Sequence, residues 1–258
     1  MKIDFSETFP HLSKAPIVEA VIDFRALPTV PCEQSQFEAY FKQEFADYPA
    51  FQVHNRHNFH LKTAPTGQPE ATQPTSWWHG LAFHSSDKLR IVQCQRDGFS
   101  YSRLQPYDAW DSFAGEALSL WKKYSAFTKP IEIQRVGVRF INRIVTRPEW
   151  KNLQDYLVNA PQALEAEALP LVGFLHNNTY FVPEHNYLIN LNLALQPADG
   201  INPVAAIIVD TDVLTTNPLS LADATEAKLE TKLSEMRWLK NKIFFASLTS
   251  KLIESLKI

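Results

Sequence analysis

Glycine, cysteine and any excess of charge are what this chain has least of. Its 258 residues include seven glycines and two cysteines and carry a formal net charge of -3. So few glycines leave little material for a phosphate-cradling loop, and no G-x-S-x-G, Walker or dinucleotide fingerprint is present. Cys32 and Cys94 lack a C-x-x-C spacing, and Cys94 falls inside the strand-like run 89–96. Reduced thiols in a reducing compartment are therefore expected rather than a disulfide. The near-neutral balance gives no global pull toward nucleic acid or anionic lipid, so such contacts would need a local basic patch. No stretch approaches the roughly 20 apolar residues of a bilayer span. The opening Met1-Lys2-Ile3-Asp4-Phe5 has no apolar signal core. These absences predict a cytoplasmic protein with no membrane partner, and nothing points to a cofactor.

What is there is apolar and aromatic material, 45% and 12% of the chain, enough for a substantial core. The run from Pro16 to Arg25 alternates, with Val18, Ala20, Ile22 and Phe24 on one face and Glu19, Asp23 and Arg25 on the other, as a half-buried strand does. A second such strand spans Ile131 to Val145, with Val136, Val138, Phe140 and Ile144 on its apolar face. Each opens a similar series. In the first half a helix follows over 33–47, marked by Phe37, Tyr40, Phe41 and Phe45. Strands then run over 51–62, 77–84, 89–96 and 99–103, with Asp97-Gly98 as a type I′ hairpin signal. A helix placed to start at Pro106 carries Trp110, Phe113, Ala117, Leu120, Trp121 and Tyr124. In the second half Trp150 to Asn159 is the matching short helix, and 171–182, 187–196 and 204–212 are the matching strands. From Leu221 to Leu256 the absence of proline and glycine predicts one long helix, kinked near Asn241.

Two pseudo-repeats, 1–129 and 130–258, thus read as strand, helix, three or four strands, helix. This predicts an α+β fold, one curved antiparallel sheet with helices on one face, arranged as a TATA-binding-protein-like saddle or a helix-grip. Two discrete domains split near Lys129-Pro130 are the alternative. Fold-level likeness carries no function.

The second repeated strand places Arg135, Arg139 and Arg143 on one face. Guanidinium forks suit phosphate or carboxylate. The competing reading is structural: if the two strands are neighbours, Glu19 or Asp23 pairs with Arg139 or Arg143 across them. In that case Glu19, Asp23 and Arg25 belong to the same patch. Asp210 and Asp212, two residues apart at the end of an apolar strand, are a runner-up metal pair, set against their use as turn formers. His54, His57 and His60 cannot share one site on a strand, because alternate residues point to opposite faces. Trp77, Trp78, Phe99 and Tyr101 could stack bases, or pack the core. The last helix, with Lys240, Lys242 and Lys251 among its apolar residues, either crosses the back of the sheet or projects to a protein partner or second copy.

Five segments together carry a resemblance: Ala15-Pro-Ile-Val-Glu-Ala20, Phe99 to Tyr107 leading to Trp110, Arg135-Val-Gly-Val-Arg-Phe-Ile-Asn-Arg143, the strand ending at Asp212, and Trp238-Leu-Lys-Asn-Lys-Ile-Phe-Phe245. In these the chain resembles a sporadically distributed bacterial family of uncharacterised cytosolic proteins of about this length, along nearly its whole extent. The resemblance implies no activity, cofactor or catalytic residue. Patchy distribution is what an accessory component of a toxin–antitoxin or phage-defence system would show. With no catalytic set recognisable, the expectation is a non-enzymatic binding or protein-interaction module. A metal-dependent hydrolase or nuclease, and a nucleic-acid binder using the arginine stripe, are the alternatives.

Overall fold

The computed structural model describes residues 1–29, 33–58, 61–63, 69–71, 75–147, 150, 152–162, 171–202 and 204–257; at 61–63 and 69–71 only the backbone is considered. Cys32 and His60 lie outside the described residues, as does most of the segment between the strands expected over 51–62 and 77–84. In chain order the elements are β1 (Ile17–Arg25), α1 (Gln34–Glu44), β2 (Ala50–Asn58), β3 (Leu61–Thr63), β4 (Pro69–Ala71), β5 (Thr75–His84), β6 (Arg90–Gln95), β7 (Gly98–Leu104) and α2 (Trp110–Thr128). The second half supplies β8 (Glu132–Ile133), β9 (Arg135–Val145), a 3-10 turn (Leu153–Asp155), β10 (Leu175–Val182), β11 (Tyr187–Gln196), β12 (Ala206–Thr215), β13 (Leu219–Ser220), α3 (Glu226–Ser247) and α4 (Ser250–Leu256).

One nine-stranded sheet runs through both halves in the order β10-β11-β12-β9-β1-β7-β6-β5-β2, with every neighbouring pair antiparallel. The duplicated strands β1 and β9 are its centre, and each half fans outward from its own first strand. The sheet does not close into a barrel; it is one open antiparallel sheet shared by both halves.

Alternation decides which face is covered. In β1, Ala20, Ile22 and Phe24 are fully buried, and in β9 the same holds for Val136, Val138, Phe140 and Ile144. The helices lie on this face. Phe24 stacks on Trp121 of α2 with ring centroids 4.5 Å apart, Phe37 and Phe41 of α1 are buried at its outer end, and Leu229, Leu233, Met236 and Leu239 of α3 cover the second half. Burying each such side chain is worth about 1.5–3 kcal/mol. One polar cluster inside this layer is fully bonded: Glu116 of α2 accepts from Tyr48 at 2.7 Å, from Arg90 at 2.9 Å and from Tyr101. Phe99 and Tyr101 are core residues and Trp78 packs on Phe37, so the base-stacking reading of these aromatics fails, with Trp77 alone among them exposed. Cys94 is a buried free thiol, and burial pushes its acidity down by raising the pKa.

Several boundaries differ from expectation for local reasons. The β6–β7 hairpin forms, but Gln95 pairs with Gly98, so Arg96-Asp97 is the loop and neither residue has the positive φ of a type I′ turn. Helix α2 begins at Trp110, not Pro106, which sits in the preceding turn behind a cis peptide bond. The segment after Trp150 shortens to the 3-10 turn, and β10 starts at Leu175 rather than 171. The long terminal helix is two helices. It is unbroken at Asn241 and stops at Leu248, which is extended and bridges Leu157. The Thr249 hydroxyl then accepts from Leu252 N at 3.2 Å and caps α4, a start signal that a scan for proline and glycine alone passes over. No described helix is long and apolar enough to cross a membrane.

Candidate functional site: the helix-free face and a cavity beneath the helices

The face of the sheet opposite the helices is polar along its centre. Register sets its rows: Ser102, Val21, Arg139, Asp212, Asn190 and Thr179 lie side by side, as do Glu19, Ile141, Asp210, Asn192 and Asn177. Arg135, Arg139 and Arg143 are on this face, together with Glu19, Asp23 and Arg25. The two duplicated strands are neighbours, as the ion-pair reading requires, but the partners differ from those expected.

Asp23 lies opposite Gly137. With no side chain there, its carboxylate folds across the glycine, and a Cβ at 137 would run into Asp23 Oδ2. From that position it accepts from Arg135 at 2.7 Å and lies 3.9 Å from Arg25. Arg139 faces Val21 on the β1 side and so turns to β12, where its Nε and Nη2 bond both oxygens of Asp210 at 2.8 and 2.7 Å. This fork-to-carboxylate geometry is the strong form of the interaction. Asn192 donates to the same carboxylate at 3.2 Å, and Asn177 donates to Asn192. Arg143 donates to Gln196 at 3.0 Å and to the Val204 carbonyl at 2.9 Å. Arg25 reaches Gln95 at 3.1 Å and Asp97 at 3.4 Å, and Asp97 also holds Arg56 at 3.2 Å. Glu19 makes no hydrogen bond or ion pair among the described residues.

Asp212 likewise makes none. Burial raises its pKa, and Asp23 adds to that effect while Arg135 and Arg139 oppose it. The runner-up metal pair therefore splits: Asp210 is committed to Arg139, and no group of three potential ligands occurs among the described residues. His54 is on the same face as Arg25, opposite Gly80, and His79, inside β5, approaches Asp97 at 3.5 Å.

A second constellation, under the helices, was not foreseen as a site. A cavity of about 1310 Å³ opens between the α2 start and α3, floored by Phe140 and Asn142 of β9 and covered by the segment 5–17. Into it points Lys240, 8% exposed, with Nζ 3.7 Å from the centroid of the Phe140 ring. No described residue accepts a hydrogen bond from this ammonium. Burial, aided by the field of Arg237, pushes its pKa down to about 7. Arg237, one turn earlier and exposed, lies over Trp110 at 5.4 Å and has no carboxylate partner among the described residues. Other charged or titratable groups on the cavity are Glu7, His11 and Lys14 of the covering segment, Tyr107 and Asp108 before α2, and Asp111 within it. Glu7 is bonded to Lys242 at 2.6 Å and Asp108 to Arg103 at 2.9 Å. A signal for Lys240 existed in the sequence: Leu229, Leu233, Met236, Lys240 and Phe244 recur at three and four residues, so the lysine occupies a core position of the helix.

The last helices do not project. The apolar side of α3 is buried against β9, β11 and β12, and Leu252 and Leu256 of α4 join the same layer. Compared with known proteins, the chain matches no family model, no curated protein and no solved structure.

Proposed function

We propose that this protein is a non-enzymatic binding module that presents the helix-free face of its sheet to a partner protein. We also propose that it belongs to the sporadic bacterial family its motifs resemble, where an accessory role in a toxin–antitoxin or phage-defence system fits such a module. The observation that carries the binding reading is the charge balance of that face. Arg25, Arg56, Arg135, Arg139 and Arg143 are matched in number by Glu19, Asp23, Asp97, Asp210 and Asp212, and all but Arg143 of the arginines are ion-paired. Phosphate backbones are captured by uncompensated cations that release counterions, so a neutralised stripe favours protein over nucleic acid. Pairing also holds the side chains in fixed positions before a partner arrives, which lowers the ordering cost of association. Glu19 and Asp212, unbonded among the described residues, are the acceptors left for a partner's donors.

The test is reciprocal capture with the partner identified from the native host, comparing wild type with the Arg139→Ala/Arg143→Ala double variant. Loss of capture with the fold intact by thermal melting supports the reading, and capture equal to wild type removes this face. Mobility-shift assays with duplex and single-stranded nucleic acid should show no binding. Binding that weakens steeply with salt would replace the protein partner with nucleic acid.

A further inference from the structure

The cavity beneath the helices is independent of the helix-free face, and its chemistry is different. An ammonium buried without a partner is costly, because lost hydration is not replaced. Lys240, 8% exposed, approaches that state: its ammonium faces the cavity with no acceptor among the described residues, and the neighbouring charge of Arg237 adds to the cost. Both cations belong to α3 three residues apart, hence on the same side of the helix. Each lies over an aromatic ring, and the two rings, Trp110 and Phe140, are themselves stacked at 6.4 Å. Of the cavity's three carboxylates, Glu7 and Asp108 are engaged by cations outside this pair, and Asp111 makes no ion pair with either cation. Beside them stands the Tyr107 hydroxyl, which has no hydrogen-bond partner among the described residues and stays protonated, because burial raises its pKa. The cavity thus offers two cations without an ion-pair partner among the described residues, a neutral donor and flat apolar walls. Its volume of about 1310 Å³ exceeds what a drug-sized ligand needs.

We propose that this cavity binds a small organic anion with a flat aromatic body, the anionic group lying between Lys240 Nζ and the Arg237 guanidinium and the body against Trp110 and Phe140. An anion there replaces the missing counter-ion of Lys240 and screens it from Arg237, so the ligand's charge is the main source of selectivity. A neutral molecule of the same shape gains only the apolar walls. Carboxylate, sulfonate and phosphate monoester groups share this chemistry.

The experiment uses the full chain and two fluorescent probes of similar shape, anilinonaphthalenesulfonate, which is anionic, and phenylnaphthylamine, which is neutral. Wild type should bind the anionic probe saturably at one site per chain. In Lys240→Met its affinity should fall by about ten- to a hundredfold, the range for losing a bond to a charged group, while the neutral probe changes by less than about twofold. Competition by naphthoate and by naphthyl phosphate then tells a carboxylate source from a phosphate one by which displaces the sulfonate at lower concentration. Unchanged affinity for the anionic probe in Lys240→Met, or a parallel fall for both probes, overturns the proposal, as does displacement by neither competitor. Should Lys240→Met not fold, Arg237→Gln, at an exposed position, carries the same comparison: it should weaken the anionic probe and spare the neutral one, and equal affinities would overturn the site.

Discussion

Replacing Lys240 by methionine should stabilise the folded protein, and by an amount that depends on pH in a defined way. The side chain is 8% exposed and its ammonium has no acceptor among the described residues. Burial moves its pKa from the ordinary 10.5 down to about 7, and at 1.36 kcal/mol per pKa unit this is a penalty of about 5 kcal/mol at most. Methionine has similar length, carries no charge and keeps the contact with Phe140. The expected gain at neutral pH is about 3–5 kcal/mol, a rise in Tm on the order of 10 °C for a chain of this size. The sign follows from proton binding. Between pH 7 and 10.5 the unfolded chain holds a proton that the folded one releases, so wild-type stability climbs with pH across that window. Below the lower limit both states are protonated and the penalty is complete. The advantage of Lys240→Met is thus greatest at neutral and acid pH and disappears by the upper limit. Glu7, His11, Lys14, Tyr107, Asp108, Asp111 and Arg237 face the same cavity in both proteins and largely cancel in the difference. Urea denaturation of the two proteins across this range measures it. A variant no more stable than wild type at neutral pH, or a gain that is independent of pH, would refute the burial argument.

Two further substitutions probe the framework. Gly137→Ala puts a methyl group where the Asp23 carboxylate lies; it should cost about 1–3 kcal/mol, as overpacking does, and Asp23→Ala in the same chain should recover part of the loss in a double-mutant cycle by urea denaturation. Thr249→Ala removes both the cap to Leu252 N and the bond its hydroxyl donates to the Asp155 carbonyl at 2.6 Å. A loss of about 1–2 kcal/mol and faster amide exchange across α4 are expected, and unchanged exchange would mean that α4 holds by packing alone.

Much of the architecture was legible because alternation is a local property. The faces of β1 and β9, the packed face of α2 and the α+β class all follow from which residues recur at two or at three to four positions. The resemblance between the two opening strands was equally visible and pointed to one shared sheet, but that they lie side by side at its centre came only from the structure. Helix ends were less so. Thr249 stops and restarts the terminal helix through one hydroxyl, and Pro106 belongs to a turn whose position depends on where β7 ends.

Which carboxylate meets which arginine was a different kind of question. Sequence alone put Arg135, Arg139 and Arg143 on one face, with Glu19, Asp23 and Arg25 beside them only if the two strands were neighbours. It could not assign pairs, because they are set by inter-strand register: Asp23 opposite Gly137 has room to reach Arg135, while Arg139, opposite Val21, has only β12 to turn to. The same register committed Asp210 and left Asp212 without a partner among the described residues. Lys240 shows the limit most clearly. Its helical spacing marked a core position, but the cavity around it exists only where α2, α3, β9 and the first residues of the chain meet. The sequence by itself determined the elements and the face each residue takes, since those depend on near neighbours along the chain. Only the tertiary structure decided which charges are neutralised and which, at Asp212, Arg237 and Lys240, are left for something outside the chain to answer.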